Sequence, residues 1–263
     1  MDRTDRDHRT TPFPRARQPV LDAGRLSARR HIIHGLLEID VTHARRFIHD
    51  HEAETGERLS FTGYLITCLA HAMVDHPTTN AYRNWRNQLI TFKDVDVVTL
   101  IETEAGGVAL PHIIRAANQK SYLDVHREIR TVQAKPQLSE QKRGLAGYGQ
   151  YAPRFLRGLF YWALRQNPHW MKRFAGTTVI TSIGMFGRGP GWGLGFLPLH
   201  TLGLTVGGIG EKLALIDGEI SRRETLCVTV SVDHDVVDGA PAARFAQRFR
   251  ELLEGAHGLR GDL

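Results

Sequence analysis

The run from Leu226 to Pro241 restricts the fold of this chain more than any other stretch. Leu226 to Asp233 alternates apolar and polar residues with period two, the signature of a strand, and Pro241 suits the first turn of a helix continuing to Glu254. Between them a loop carries His234, with Asp238 four positions later and Gly239 directly after it. On such a strand Val228, Val230 and Val232 share one face while Thr229, Ser231 and Asp233 share the other, so His234 leaves a rigid, half-polar platform. A thiol with a pKa of about 8.5 is mostly protonated at neutral pH, and a positioned imidazole is the side chain that can take its proton.

Elsewhere strand and helix patterns interleave, which argues for one mixed α/β domain. Leu36 to Val41 reads as a strand, and a helix follows from Thr42. Ser60 is placed to cap a helix over Phe61 to Asp75, which His76-Pro77 ends. Gln88 to Phe92 and Val95 to Glu102 read as a hairpin-like strand pair, followed by a turn at Gly106-Gly107 and a strand from Val108 to Ile114. Ser121 caps a helix through Val132, and Thr177 to Ser182 is β-branched. A glycine-rich loop spans Gly184 to Gly195, and Leu202 to Val206 and Leu213 to Ile216 read as short strands before an Asp217-Gly218 turn. Gly189 to Gly193 and Gly207 to Lys212 lack dinucleotide or P-loop spacing and read as turns. Residues 1–19, rich in charge and proline, form a flexible leading segment; 20–263 make the single domain.

The two cysteines, Cys68 and Cys227, lie in apolar runs and read as buried thiols of a reducing, cytoplasmic setting. No window has the length of a membrane span. The net charge of +6 admits an anionic partner, but without nucleic-acid motifs it points to a solvated surface or a phosphate-bearing small molecule. The histidines show no completed ligand pattern, so no metal is expected.

The loop Asp233-His234-x-Val236-x-Asp238-Gly239-Ala240, followed by Ala242-Ala243-Arg244-Phe245, resembles the signature of the acyltransferase component of 2-oxoacid dehydrogenase complexes. A looser His-x-x-x-Asp-Gly motif is shared with chloramphenicol acetyltransferase. Further matches fall in family order: Ile39-Asp40-Val41-Thr42, Leu59-Ser60-Phe61-Thr62, His76 to Ala81, Lys93 to Val97, Gly107 to Ala117 and Gly176 to Gly187. The resemblance implies a chloramphenicol acetyltransferase-like α/β fold and a homotrimer with active sites between subunits. Coenzyme A, as acyl-CoA, would be a substrate, and a lipoyl group would come only from a partner chain. It also implies His234 as general base, Thr181 in place of a serine that hydrogen-bonds the oxyanion with Ser182 in reserve, and Asp238 holding the loop through an arginine. Arg15, Arg17, Arg29 and Arg30 are the candidates for that arginine, and Gly239 would permit an unusual backbone conformation or a close approach.

Two residues depart from the family pattern. Asp235 replaces a usual arginine directly after His234 and would raise the pKa of that imidazole or reshape access for the thiol, and His112 replaces an aliphatic residue near the expected substrate channel. No lipoyl-bearing segment is recognised ahead of the domain, so a separate lipoyl-bearing or dehydrogenase partner is expected. The polar C-terminus suggests a free trimer. An insertion at about 134–175 carries an apolar stripe of Phe155, Leu159, Phe160, Trp162 and Leu164 among basic residues; it is read first as packing on its own trimer, then as a lid over an acyl chain or a contact for a membrane surface. The competing functions are a small-molecule O- or N-acetyltransferase of the antibiotic-modifying branch and a non-catalytic trimeric scaffold. Asp233, where that branch carries a second histidine, weighs against the first.

Overall fold

The computed structural model describes residues 4–5, 8–14, 17–101, 110–138, 152–184, 189–216 and 218–259. The elements run α1 (Gln18–Ser27), β1 (Ile32–Asp40), α2 (Thr42–Thr55), α3 (Phe61–Asp75), β2 (Ala81–Arg83), β3 (Leu89–Thr91), β4 (Val97–Ile101), β5 (Leu110–Ile114) and α4 (Tyr122–Ala134). After them come α5 (Arg154–Gln166), α6 (Pro168–Ala175), β6 (Thr178–Ser182), β7 (Leu202–Ile216), β8 (Glu219–Asp233) and α7 (Gly239–Glu254).

A six-stranded mixed sheet in the order β1-β8-β7-β6-β4-β5 organises the chain. Its β1, β8 and β7 are antiparallel neighbours, whereas β6 runs parallel to both β7 and β4. Helices α2, α3, α4 and α7 pack an apolar core against it, with Ile39, Tyr64, Leu69, Ile114, Val228 and Phe245 fully or almost fully buried. α3 starts where Ser60 Oγ accepts a hydrogen bond from Gly63 N, and α4 where Ser121 and Asp124 form a reciprocal capping box. The α3 side is pinned to α7 by the Tyr64 hydroxyl, which donates to Leu253 O at 2.8 Å.

Several local expectations change. β3 pairs with β2, not with β4, and β4 pairs with β5 inside the main sheet. β1 begins at Ile32, four residues before its expected start. The two short strands expected between Leu202 and Ile216 are one strand, and Gly207 to Lys212 lies within it instead of forming a turn. The glycines there admit another backbone: a Cβ on Gly207 would come within 2.0 Å of Gly191 O, and one on Gly208 within 1.9 Å of Gly189 O. β8 is buried on both faces, so its polar face is not the exposed platform its alternation suggests. The Gly106-Gly107 turn, Val108 and Ala109 lie outside the described residues, as do 139–151 of the insertion, 185–188 of the glycine-rich loop and Asp217.

Residues 152–175 carry two helices, α5 and α6. Arg157 faces inward, its Nε donating to Asp22 Oδ2 of α1 at 2.6 Å, while Leu164 and Met171 bury beneath. Arg115 holds the far end by donating to Lys172 O and Arg173 O. This inward ion pair turns the apolar stripe outward, so Phe155 is 73% exposed, and Leu159 and Trp162 are exposed with it. Within one chain only Leu164 of the stripe is buried, and Phe155, Leu159, Phe160 and Trp162 are left exposed.

Candidate active site

β8 delivers His234 to the surface, and backbone bonds fix the loop that carries it. Val236 N and Val237 N both donate to Asp233 O at 3.0 Å, and His234 N donates to His31 O at 2.8 Å. The His234 residue is exposed. Beneath it the Asp233 carboxylate accepts from Arg30 Nη2, both side chains being only 8% exposed, and also from Asp235 N at 3.3 Å. Arg30 Nη1 reaches Pro198 O at 3.3 Å. A buried carboxylate paired in this way braces the loop from below.

The arginine contact in this loop thus falls on Asp233. Asp238 sits at the N-cap of α7 with φ −72° and ψ 164°, accepts Ala242 N through its backbone carbonyl at 3.1 Å, and makes no side-chain cap bond. Among the described residues no ion pair reaches Asp238; Arg30 is engaged elsewhere, and Arg15 lies outside those residues. Gly239 corrects a second expectation: it has no positive φ, and a Cβ on it would meet nothing within 4 Å. Within the chain neither reason for a glycine is met at this position. Asp235 pairs with His31, Oδ1 to Nδ1 at 2.8 Å. That hydrogen bond raises the His31 pKa and lowers the Asp235 pKa, so the imidazole this carboxylate shifts is His31.

Thr181 lies elsewhere on the sheet. Thr229 of β8 pairs with Thr205 of β7, and Thr205 pairs with Thr181 of β6, so the three threonines form one row. His234 follows Thr229 by five residues. At about 3.3 Å per residue and about 4.8 Å between strands, the His234 and Thr181 backbones are roughly 19 Å apart within one chain. That exceeds the combined reach of the two side chains. Ser182, one residue on, points to the opposite face and pairs with Val206.

His112 is drawn away from both groups. It is buried on β5, with its Nε2 2.9 Å from Glu128 Oε1 of α4, while Lys120 Nζ donates to Glu128 Oε2 at 2.6 Å. Burial works to raise the Glu128 pKa, but hydrogen bonds from His112 and Lys120 hold it below the usual range. The cavity that does adjoin the histidine loop, about 300 Å³, is bounded by Arg30, Arg83, Trp85, Arg165, Asp233 and Asp235. Sequence reading missed the Arg30–Asp233 and His31–Asp235 contacts. Their signal was the Arg29-Arg30-His31 run directly before β1, because Ile32 is the register partner of Asp233. Among the described residues no group of three or more His, Cys, Asp and Glu could hold a metal ion, and no helix is long and apolar enough to cross a membrane.

This mixed six-stranded sheet with its packed helices is the chloramphenicol acetyltransferase-like fold. The solved chloramphenicol acetyltransferase superposes with a TM-score of 0.55 at 11% identity, covering 96% of this chain and 100% of that one. A probable dihydrolipoamide acetyltransferase from Listeria monocytogenes gives a TM-score of 0.73 at 20% identity, covering 98% and 99%. The sequence profile of the 2-oxoacid dehydrogenases acyltransferase (catalytic domain) family matches residues 24–142 and 164–259, interrupted only over 143–163, and the chain belongs to that family. Among curated relatives, the dihydrolipoyllysine-residue acetyltransferase component of the pyruvate dehydrogenase complex of Rickettsia conorii is 25% identical over 202 residues, 76% of this chain and 41% of the relative. The succinyltransferase component of the 2-oxoglutarate dehydrogenase complex of Bartonella vinsonii is 26% identical over 219 residues, 81% and 44%. The chain spans less than half the length of these relatives.

Proposed function

We propose that the chain is a coenzyme A-dependent acyltransferase whose active site is completed by a second copy, in a homotrimer. What carries this reading is the placement of an exposed, braced His234 beyond the end of β8, two strands from Thr181 on β6, a separation of roughly 19 Å by ideal sheet spacings and too wide for both side chains of one chain to meet at one carbonyl. The β7–β8 hairpin supports association. Leu213, Leu215 and Ile220 near its tip are 75%, 72% and 75% exposed, an apolar surface that a neighbouring copy would cover.

In the proposed reaction His234 takes the proton of an acceptor thiol as the sulfur attacks the thioester carbonyl. The neighbour's Thr181 hydroxyl donates a hydrogen bond to the resulting oxyanion, a contribution of about 3 kcal/mol to the barrier. The intermediate collapses by breaking its bond to the coenzyme A sulfur, which recovers the proton from the imidazolium. Asp238, whose carboxylate makes no ion pair and no cap bond among the described residues, is given no part in the proton transfer. The names of the curated relatives support a dihydrolipoyl-type thiol as acceptor.

The test is thiol release from acetyl-CoA and longer acyl-CoAs, with dihydrolipoamide and a panel of amines and alcohols as acceptors. Transfer to the thiol that disappears in His234→Ala is the expected result. Transfer to an amine or alcohol alone would indicate the antibiotic-modifying type of chemistry, and no transfer from a trimeric protein would indicate a scaffold.

A further inference from the structure

The cavity beside the histidine loop has a wall that directly follows a gap in the family match. The family match breaks at residues 143–163, and the last turn of α5, immediately after that gap, contributes Leu164, Arg165 and Gln166 to the lining. Trp85 N donates to Gln166 O at 3.3 Å and closes this turn onto the β2–β3 hairpin, which brings Arg83. Asp233 and Asp235, on either side of His234, line the opposite wall with Arg30.

The charges in this cavity do not balance. Asp233 is engaged by Arg30 and Asp235 by His31, which leaves Arg83 and Arg165 without an ion pair among the described residues. Arg30 is nine-tenths buried, and its Nε has no hydrogen-bond partner. Partial desolvation of this exposed side chain, with repulsion from Arg30, Arg29 and Arg83, lowers the Arg165 pKa against the pull of Asp233. Guanidiniums crowded this way are relieved by an oxyanion that accepts their forked N–H donors. A volume of about 300 Å³ is at the small end of ligand sites, enough for one end of a small molecule.

We propose that this cavity binds a carboxylate carried by the acyl acceptor or by the acyl chain, with Arg83 and Arg165 as its ligands, so that the enzyme prefers an acidic reacting partner to a neutral one. The inference rests on the acyltransferase reading and names the substrate class for that site. Both arginines are exposed residues, so Arg83→Gln with Arg165→Gln is a variant whose melting temperature should stay at the wild-type value.

The experiment compares kcat/KM for dihydrolipoate and dihydrolipoamide, which differ only in a carboxylate against an amide, and for succinyl-CoA and butyryl-CoA as donors. Wild-type protein should favour the acidic member of at least one pair by tenfold or more, and the double variant should bring that ratio close to one. Equal use of acidic and neutral partners by the wild type, or a ratio the variant leaves unchanged, overturns the proposal. So does a variant defect seen with coenzyme A thioesters but not with their 3′-dephospho forms, because the site would then belong to the nucleotide. If no acyl transfer occurs at all, the function reading fails, and the cavity is judged by calorimetry with succinate. Binding that the double variant abolishes supports the site; no binding to the wild type removes it.

Discussion

Helices α5 and α7 are both amphipathic, yet they face opposite ways. α7 buries Phe245, Phe249, Leu252 and Leu253 against the sheet and follows directly from the histidine loop. α5 turns Arg157 inward to Asp22 and leaves Phe155, Leu159 and Trp162 in solvent. The difference shows that an apolar stripe fixes that a helix has two faces, while the contact anchoring it decides which one the chain covers. For α7 the anchor is the core. For α5 it is a buried ion pair with α1, which leaves its apolar face for something outside the chain.

The largest expected effect lies on the α7 side. His234→Ala should lower kcat by about 10²–10⁴-fold, the usual range for a lost general base, with the melting temperature unchanged because the residue is exposed. Next is Phe249→Ala, which should cost about 3–5 kcal/mol in denaturant unfolding, since that ring is fully buried and stacks on Phe245 with centroids 6.2 Å apart. A smaller effect comes from His200, whose Nε2 donates to Ala175 O at the end of α6. Burial lowers its pKa to about 4, so in the folded state it stays neutral where the unfolded chain, with a value of 6.5, takes up a proton. Stability is therefore fully present above about pH 6.5 and declines as pH falls toward 4, by roughly 3 kcal/mol in total. His200→Gln should flatten that part of the pH–stability curve. The smallest effect belongs to α5: Phe155→Ser should change unfolding free energy by no more than about 0.5 kcal/mol. A larger loss would mean the stripe is covered by a second copy, which would erase the contrast between the two helices.

Much of the α7 side could be read from the sequence because its signals are local. Ser60 and Ser121 mark helix starts with their own side chains, and the alternation up to Asp233 spans enough residues to show its period. What escaped were features without local redundancy. β2 and β3 have three residues each, too few for a period, and the glycines of β7 that admit the Gly189–Gly191 backbone look like punctuation when read in line. The exposed placement of His234 just after β8 was legible from its loop. The brace on that loop was not, because Arg30 and Asp233 are 203 residues apart and meet only through the pairing of β1 with β8. The outward turn of α5 escaped for the same reason, since Asp22 and Arg157 are 135 residues apart.

The proposal that a second copy completes the site is tested most directly by mixing two inactive proteins. His234→Ala and Thr181→Ala chains, each nearly inactive alone, are unfolded together, refolded as mixed oligomers and assayed for acyl transfer. A site shared between copies should regain both groups at about one interface in four, restoring activity far above either parent. Activity no greater than the average of the two parents, in oligomers shown to be mixed, would contradict a shared site.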